Sequence, residues 1–141
     1  MQLFRMKRIV FVSSAALLIS LLVSIVPAHA TSNRTRLANS FSALQSDYNQ
    51  IVSGVQTGNE TKAEAGFVKF SRDCIPLATF ETSFSKTINE DIFAVAQIGN
   101  GWAWVGYITL TTNSDASAFQ TQTARLTKAM NKFAKDLKNG L

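Results

Sequence analysis

Side chains able to do chemistry are few in this chain, and their spacing does not converge on a site. The one histidine, His29, falls in an N-terminal leader, and the one cysteine, Cys74, has no second thiol with which to close an internal disulfide. Once the leader is removed, no histidine is left for a Ser-His-Asp or Cys-His arrangement, a usual zinc site, or the Glu-x-x-His ligands of di-iron bundles. Glu90-Asp91 is the nearest thing to a carboxylate pair. Adjacent helical residues point in different directions, and acids in a first turn complement the helix dipole, so the pair reads as a helix start. Met130 alone does not supply axial ligation for haem. Cys74 lies in an apolar stripe and reads as a small core residue. The expectation is a protein that is no enzyme, takes no cofactor or metal, and acts by binding.

The remaining candidate is a set of lysines near the C-terminus. With Leu126 set at zero and about 100° per helical residue, Met130, Phe133 and Leu137 fall within about 40° of it, while Lys128, Lys132, Lys135 and Lys138 lie between about 120° and 240°. The four lysines thus form a basic face opposite the apolar stripe. Such a face serves solubility and the dipole at a helix C-terminus; it also attracts anionic polymer or lipid headgroups weakly, and that screened attraction makes it a possible interaction face. The partners expected are an unknown exported protein or an anionic cell-surface component. Nucleic acid is not expected. Three of the 14 basic residues lie in the leader, leaving 11 against 9 acids, so the excess is only +2.

The segments that position these residues begin with the leader. Arg5, Lys7 and Arg8 precede an apolar run, Ile9 to Val26, and Ala28-His29-Ala30 supplies the small-x-small pattern of a cleavage site. Residues 1–30 are read as a signal peptide cleaved after Ala30, which places the protein outside the cell or in its envelope. The alternative is an uncleaved membrane anchor formed by residues 9–26, since 18 apolar residues reach the lower limit for a span. With cleavage, any membrane contact is peripheral. Residues 31–141 then form one helical domain with one core.

Leu37, Phe41, Leu44, Tyr48, Ile51 and Val55 recur at steps of 4, 3, 4, 3, 4 and mark a first helix, ended by Thr57-Gly58-Asn59. A second helix starts near Asn59 or at the capping box Thr61-Lys62-Ala63-Glu64, and carries Phe67, Phe70, Cys74, Leu77 and Phe84 with Phe80 alongside. Pro76 predicts that the helix kinks or divides near Asp73 to Ile75, because proline lacks the N–H and clashes with the preceding turn. A last helix from Ala116 to about Lys138, capped by Ser114 or Asp115, buries Phe119, Leu126, Met130, Phe133 and Leu137. Shifting Asn59 onto Asp115 lays Phe70 on Leu126, Cys74 on Met130 and Leu77 on Phe133, a weak hint of two similar hairpins.

The stretch Ile88 to Thr111 admits two structures. As a helix capped by Thr87 or Asn89, it places Ile92, Ala96, Gly99, Ala103, Gly106 and Leu110 on one seam and Val95, Ile98, Trp102 and Val105 on another. As strands, Ile92–Ile98 and Trp102–Thr111 would pair across Gly99-Asn100-Gly101. The flanking helices and the marginal stability of an isolated hairpin favour the helix. The fold expected is all-α, a small antiparallel four-helix bundle with its second helix kinked near Pro76; the alternative is α+β with a β-hairpin at 92–111. The functional expectation is a non-catalytic binding or interaction module. A carrier holding a small apolar ligand between the second and third helices is the other reading, since Pro76, the phenylalanines and the glycine seam could leave space there.

Overall fold

The computed structural model describes residues 31–80, 84–112 and 114–140. The expected signal peptide, 1–30, and the alternative anchor, 9–26, lie outside the described residues. Four helices follow one another: α1, Thr31–Thr57; α2, Glu60–Cys74, continued by a 3-10 turn, Ile75–Phe80; α3, Lys86–Thr111; and α4, Ser117–Gly140. Among the described residues there is no strand, so the hairpin at 92–111 is replaced by one unbroken helix. None of the described helices is long and apolar enough to cross a membrane.

Local chemistry sets the helix ends. Gly58 adopts a left-handed φ of 72°, turning the chain after α1, and Asn59 then caps α2 by accepting the Lys62 N–H at 2.9 Å. The cap is therefore Asn59 and not the Thr61 capping box. At the other end of α2, an α-helical Pro76 would have to donate to the Arg72 carbonyl, and it has no N–H. Ile75 donates to that carbonyl instead, one residue earlier, which converts the chain to the tighter 3-10 pattern. Of the kink or division expected between Asp73 and Ile75, the structure shows the second: the α-helical bonding ends at Cys74. Ser85 caps α3 in place of Thr87 or Asn89, and the Asn89 amide holds both the N–H and the carbonyl of Phe84. Asp115 accepts the Ser117 N–H at 2.6 Å at the start of α4.

Packing runs α1 on α2, α2 on α3 and α3 on α4, each pair antiparallel. The first contact is the closest. A Cβ on Gly54 would lie 2.5 Å from the Ala63 nitrogen, and one on Gly66 would lie 2.7 Å from Ile51 Cγ1. These two glycines let the backbones of α1 and α2 approach as larger residues could not. Between α2 and α3, a Cβ on Gly99 would press on Cys74 Sγ at 3.1 Å, and one on Gly106 would enter the ring of Phe67 at 2.3 Å. At Gly99 and Gly106 the space between α2 and α3 is occupied by Cys74, Phe70 and Phe67. Helices α1 and α4 meet through Phe41 and Phe133, whose ring centroids are 5.4 Å apart.

At the centre, Trp102 is fully buried. Its ring lies 4.9 Å from Phe70, 5.6 Å from Phe67, 5.4 Å from Phe119 and 6.2 Å from Tyr48, so all four helices touch this aromatic cluster. Its Nε1–H donates to Thr123 Oγ1 at 2.9 Å, which satisfies the one polar atom of the ring. Trp102→Ala is expected to destabilise the fold by about 3–5 kcal/mol, a large share of a small domain's stability. Gly54→Ala, whose methyl meets backbone, is expected to cost about 1–3 kcal/mol. Urea titration followed by circular dichroism checks both; a loss under about 1 kcal/mol for Trp102→Ala would contradict the placement of the ring.

Candidate functional site

The candidates named from sequence are not gathered in one place. Lys128, Lys132, Lys135 and Lys138 are all exposed on α4. Lys132 is committed within the fold: its ammonium bonds to Asp91 on α3 and to Asp136 one turn on, at 2.7 Å for the latter. Asp91 belonged to the pair read as a helix start. It is instead buried, facing α4, while Glu90 remains exposed beside Lys86 at 3.8 Å. Burial raises the pKa of Asp91 and the Lys132 hydrogen bond opposes that rise; Lys132 itself is raised by Asp136 and Asp91, and Asp136 is lowered chiefly by Lys132.

Cys74 is buried against Gly99, and burial pushes its thiol up to about 12, so at neutral pH it is the unreactive protonated form. Cys74 also borders an interior cavity of about 20 Å³ with Phe41, Leu44, Tyr48, Phe70 and Leu126. A cavity of this size holds one water-sized body, far below the roughly 300 Å³ at which small-molecule pockets begin. Among the described residues, no group of three or more acids, histidines or cysteines is placed to hold a metal ion.

A second buried acid was invisible in the sequence. Asp47 reads as part of the polar face of α1, yet the close approach at Gly66 covers it. Burial first, and then the neighbouring Asp73 carboxyl, raise Asp47 to about 7. Asp73 is held low, chiefly by the Arg72 Nε–H that donates to it at 2.9 Å.

The feature that faces outward is apolar. Val68, Ile75, Phe93, Trp104 and Ile108 are between 40% and 67% exposed, and all five lie on α2, its 3-10 extension or α3. They share one side of the molecule. Ser71, between Val68 and Ile75, donates its hydroxyl to Asn100 on α3, and Asn100 lies on the same strip of α3 as Phe93 and Trp104. Trp104 packs edge-on against Tyr107, with centroids 5.8 Å apart, which holds the indole at the surface. No charged residue occurs from Ile92 to Thr112. The paired tryptophans were legible as a problem of facing, since positions two apart on a helix diverge by about 200°; Trp102 went inward and Trp104 outward.

The folded state holds the Asp47 proton more tightly than the unfolded chain does. Between the ordinary aspartate value of about 4 and about 7, folding takes up protons, so stability falls as pH rises through that window. Asp91 acts in the same direction. Asp73 and Asp136 act oppositely, losing their stabilisation as pH falls through their lowered values. The thermal midpoint is expected to fall between about pH 5 and about pH 7, and Asp47→Asn to flatten that fall and raise the midpoint at pH 7. A midpoint that rises through the window in both proteins would contradict the burial of this carboxyl. Comparison with protein-family models, with curated proteins and with solved structures found no match for the chain.

Proposed function

We propose that this protein is an exported, non-catalytic interaction module that works at or outside the cell surface and engages its partner through the outer face of α2 and α3. The observation that carries this reading is the gathering of Val68, Ile75, Phe93, Trp104 and Ile108 on that face. Single exposed apolar residues are ordinary, but five on one side with a tryptophan among them, and the exposed Arg72 between Val68 and Ile75, match the composition of a binding hot spot. Export rests on the leader sequence. The basic face of α4 contributes less to the proposal, because Lys132 is already held by two carboxylates. A carrier role fits poorly with a cavity of about 20 Å³.

Photo-crosslinking in the producing cell tests the reading. A photoreactive residue in place of Trp104 is expected to form an adduct in the exported fraction, and one in place of Lys128 on the opposite side of the bundle is not. The mass of the recovered protein is expected to begin at Thr31. Adducts from neither position, or from Lys128 alone, would contradict the proposed face, and a chain retaining residues 1–30 would contradict cleavage.

A further inference from the structure

The binding face contains one residue for which the fold has no use. Gly54, Gly66, Gly99 and Gly106 each sit where an added Cβ would lie between 2.3 and 3.1 Å from a neighbouring atom. Gly101, in the middle of α3, would meet nothing within 4 Å. A glycine inside a helix costs about 1 kcal/mol relative to alanine, and here no contact among the described residues offsets it. With Phe93 at zero, Trp104, Gln97, Ile108 and Gly101 fall at about 20°, 40°, 60° and 80° around the helix. The bare backbone therefore belongs to the exposed apolar strip, where it permits another helix to approach closely.

We propose that the occupant is a second copy of this chain, docked by an antiparallel crossing of the two α3 helices about a two-fold axis beside Asn100 and Gly101; this rests on the reading of the α2–α3 face as the binding surface. A two-fold contact must be self-complementary, each residue meeting a counterpart that meets it in return. An axis midway between positions 100 and 101 sets Gly101 beside the partner's Asn100, Trp104 over the partner's Gln97 and Ile108 against the partner's Phe93. Each large side chain meets a different one, and the small residue stands where the helices cross. The charge pattern agrees with self-association. No charged residue occurs on α3 from Ile92 to Thr112, so the two α3 strips meet without like-charge repulsion, and Arg72, exposed between Val68 and Ile75, stands on the α2 margin of the face. A lipid surface would need no bare backbone at Gly101.

The dimensions agree as well. From Phe93 to Ile108 the strip is about 22 Å long at 1.5 Å per residue, and two helices about 10 Å apart give a face roughly 20 Å wide. Such a face is about 440 Å², a little over half of the roughly 800 Å² that each partner of a stable complex buries, which places the contact among weak, concentration-dependent ones. Val68 and Ile75 on the α2 side widen it.

Sedimentation velocity of the exported protein, purified from its host and examined from roughly 1 µM to 1 mM, tests the proposal. The mass is expected to rise from one chain to two. Trp104→Arg and Gly101→Leu are each expected to weaken the association by roughly 30-fold or more. Helix content should be retained in both, and Gly101→Leu should raise the urea midpoint of the single chain, because leucine suits a helix better than glycine. A single chain at every concentration overturns the proposal, as does a dimer that both variants leave intact. A single chain whose Trp104 position still crosslinks to a different exported protein overturns the second copy and leaves the binding face standing. Co-sedimentation of single chains with phosphatidylcholine or phosphatidylglycerol vesicles, lost in Trp104→Arg, likewise overturns it in favour of lipid.

Discussion

Burial of the Trp102 ring is the constraint on which the rest of the structure depends. The ring lies between Phe67, Phe70 and Phe119, with Tyr48 beyond, so its aromatic neighbours come from all three other helices. A side chain of that size enters a close-packed interior only if its neighbours make room. On α3 they are Gly99, Ala103 and Gly106, each buried. The rings of Phe70 and Phe67 stand where their larger side chains would have been. Helix propensity is given up on α3 to seat the aromatic cluster, and packing more than restores it.

Seating Trp102 inward also decides what α3 shows to solvent. The same rigid helix cannot turn Trp104 inward, so the inner seam and the outer strip are two consequences of one register. The molecule is correspondingly uneven. Exposed positions of α1 are Ser, Thr, Asn, Gln and Arg, and those of α4 include Lys128, Lys135 and Lys138, while the outer side of α2 and α3 carries the exposed apolar residues, with Arg72, Gln97 and Asn100 among them. The two buried acids sit away from that side, Asp47 in the α1–α2 contact and Asp91 in the α3–α4 contact.

Much of the fold was legible because one apolar residue per turn leaves a periodic trace. Leu37, Phe41, Leu44, Ile51 and Val55 on α1, and Phe119, Leu126, Met130, Phe133 and Leu137 on α4, are buried as their spacing implied. The helix ends were less legible. Several residues near each end can cap, and the choice of Asn59 over Thr61, and of Ser85 over Thr87 or Asn89, depends on where the chain must turn. Residues on the flank of a stripe were misread for a related reason. Periodicity gives the direction of the core but not how near the next helix comes, and so Asp47 and Asp91 looked solvated. The glycines were better resolved: the 4, 3 spacing puts Gly99 and Gly106 on the inner seam and leaves Gly101 off it, and the contacts show how tightly the first two are packed. For the candidate surface, the divergence of about 200° between Trp102 and Trp104 implied only that at least one ring is buried, and the exposed face that Trp104 shares with Val68 and Ile75 required the pairing of α2 with α3.

The central claim is the register of α3, with Trp102 sealed in the core and Trp104 at the surface. Two single-tryptophan proteins, Trp104→Phe and Trp102→Phe, separate the two indoles, and fluorescence with acrylamide quenching of dilute single chains measures each. Trp102 alone is expected to emit at short wavelength and to resist the quencher, and Trp104 alone to emit at longer wavelength and to be quenched readily. Equal quenching of the two, or a more accessible Trp102, would contradict the account.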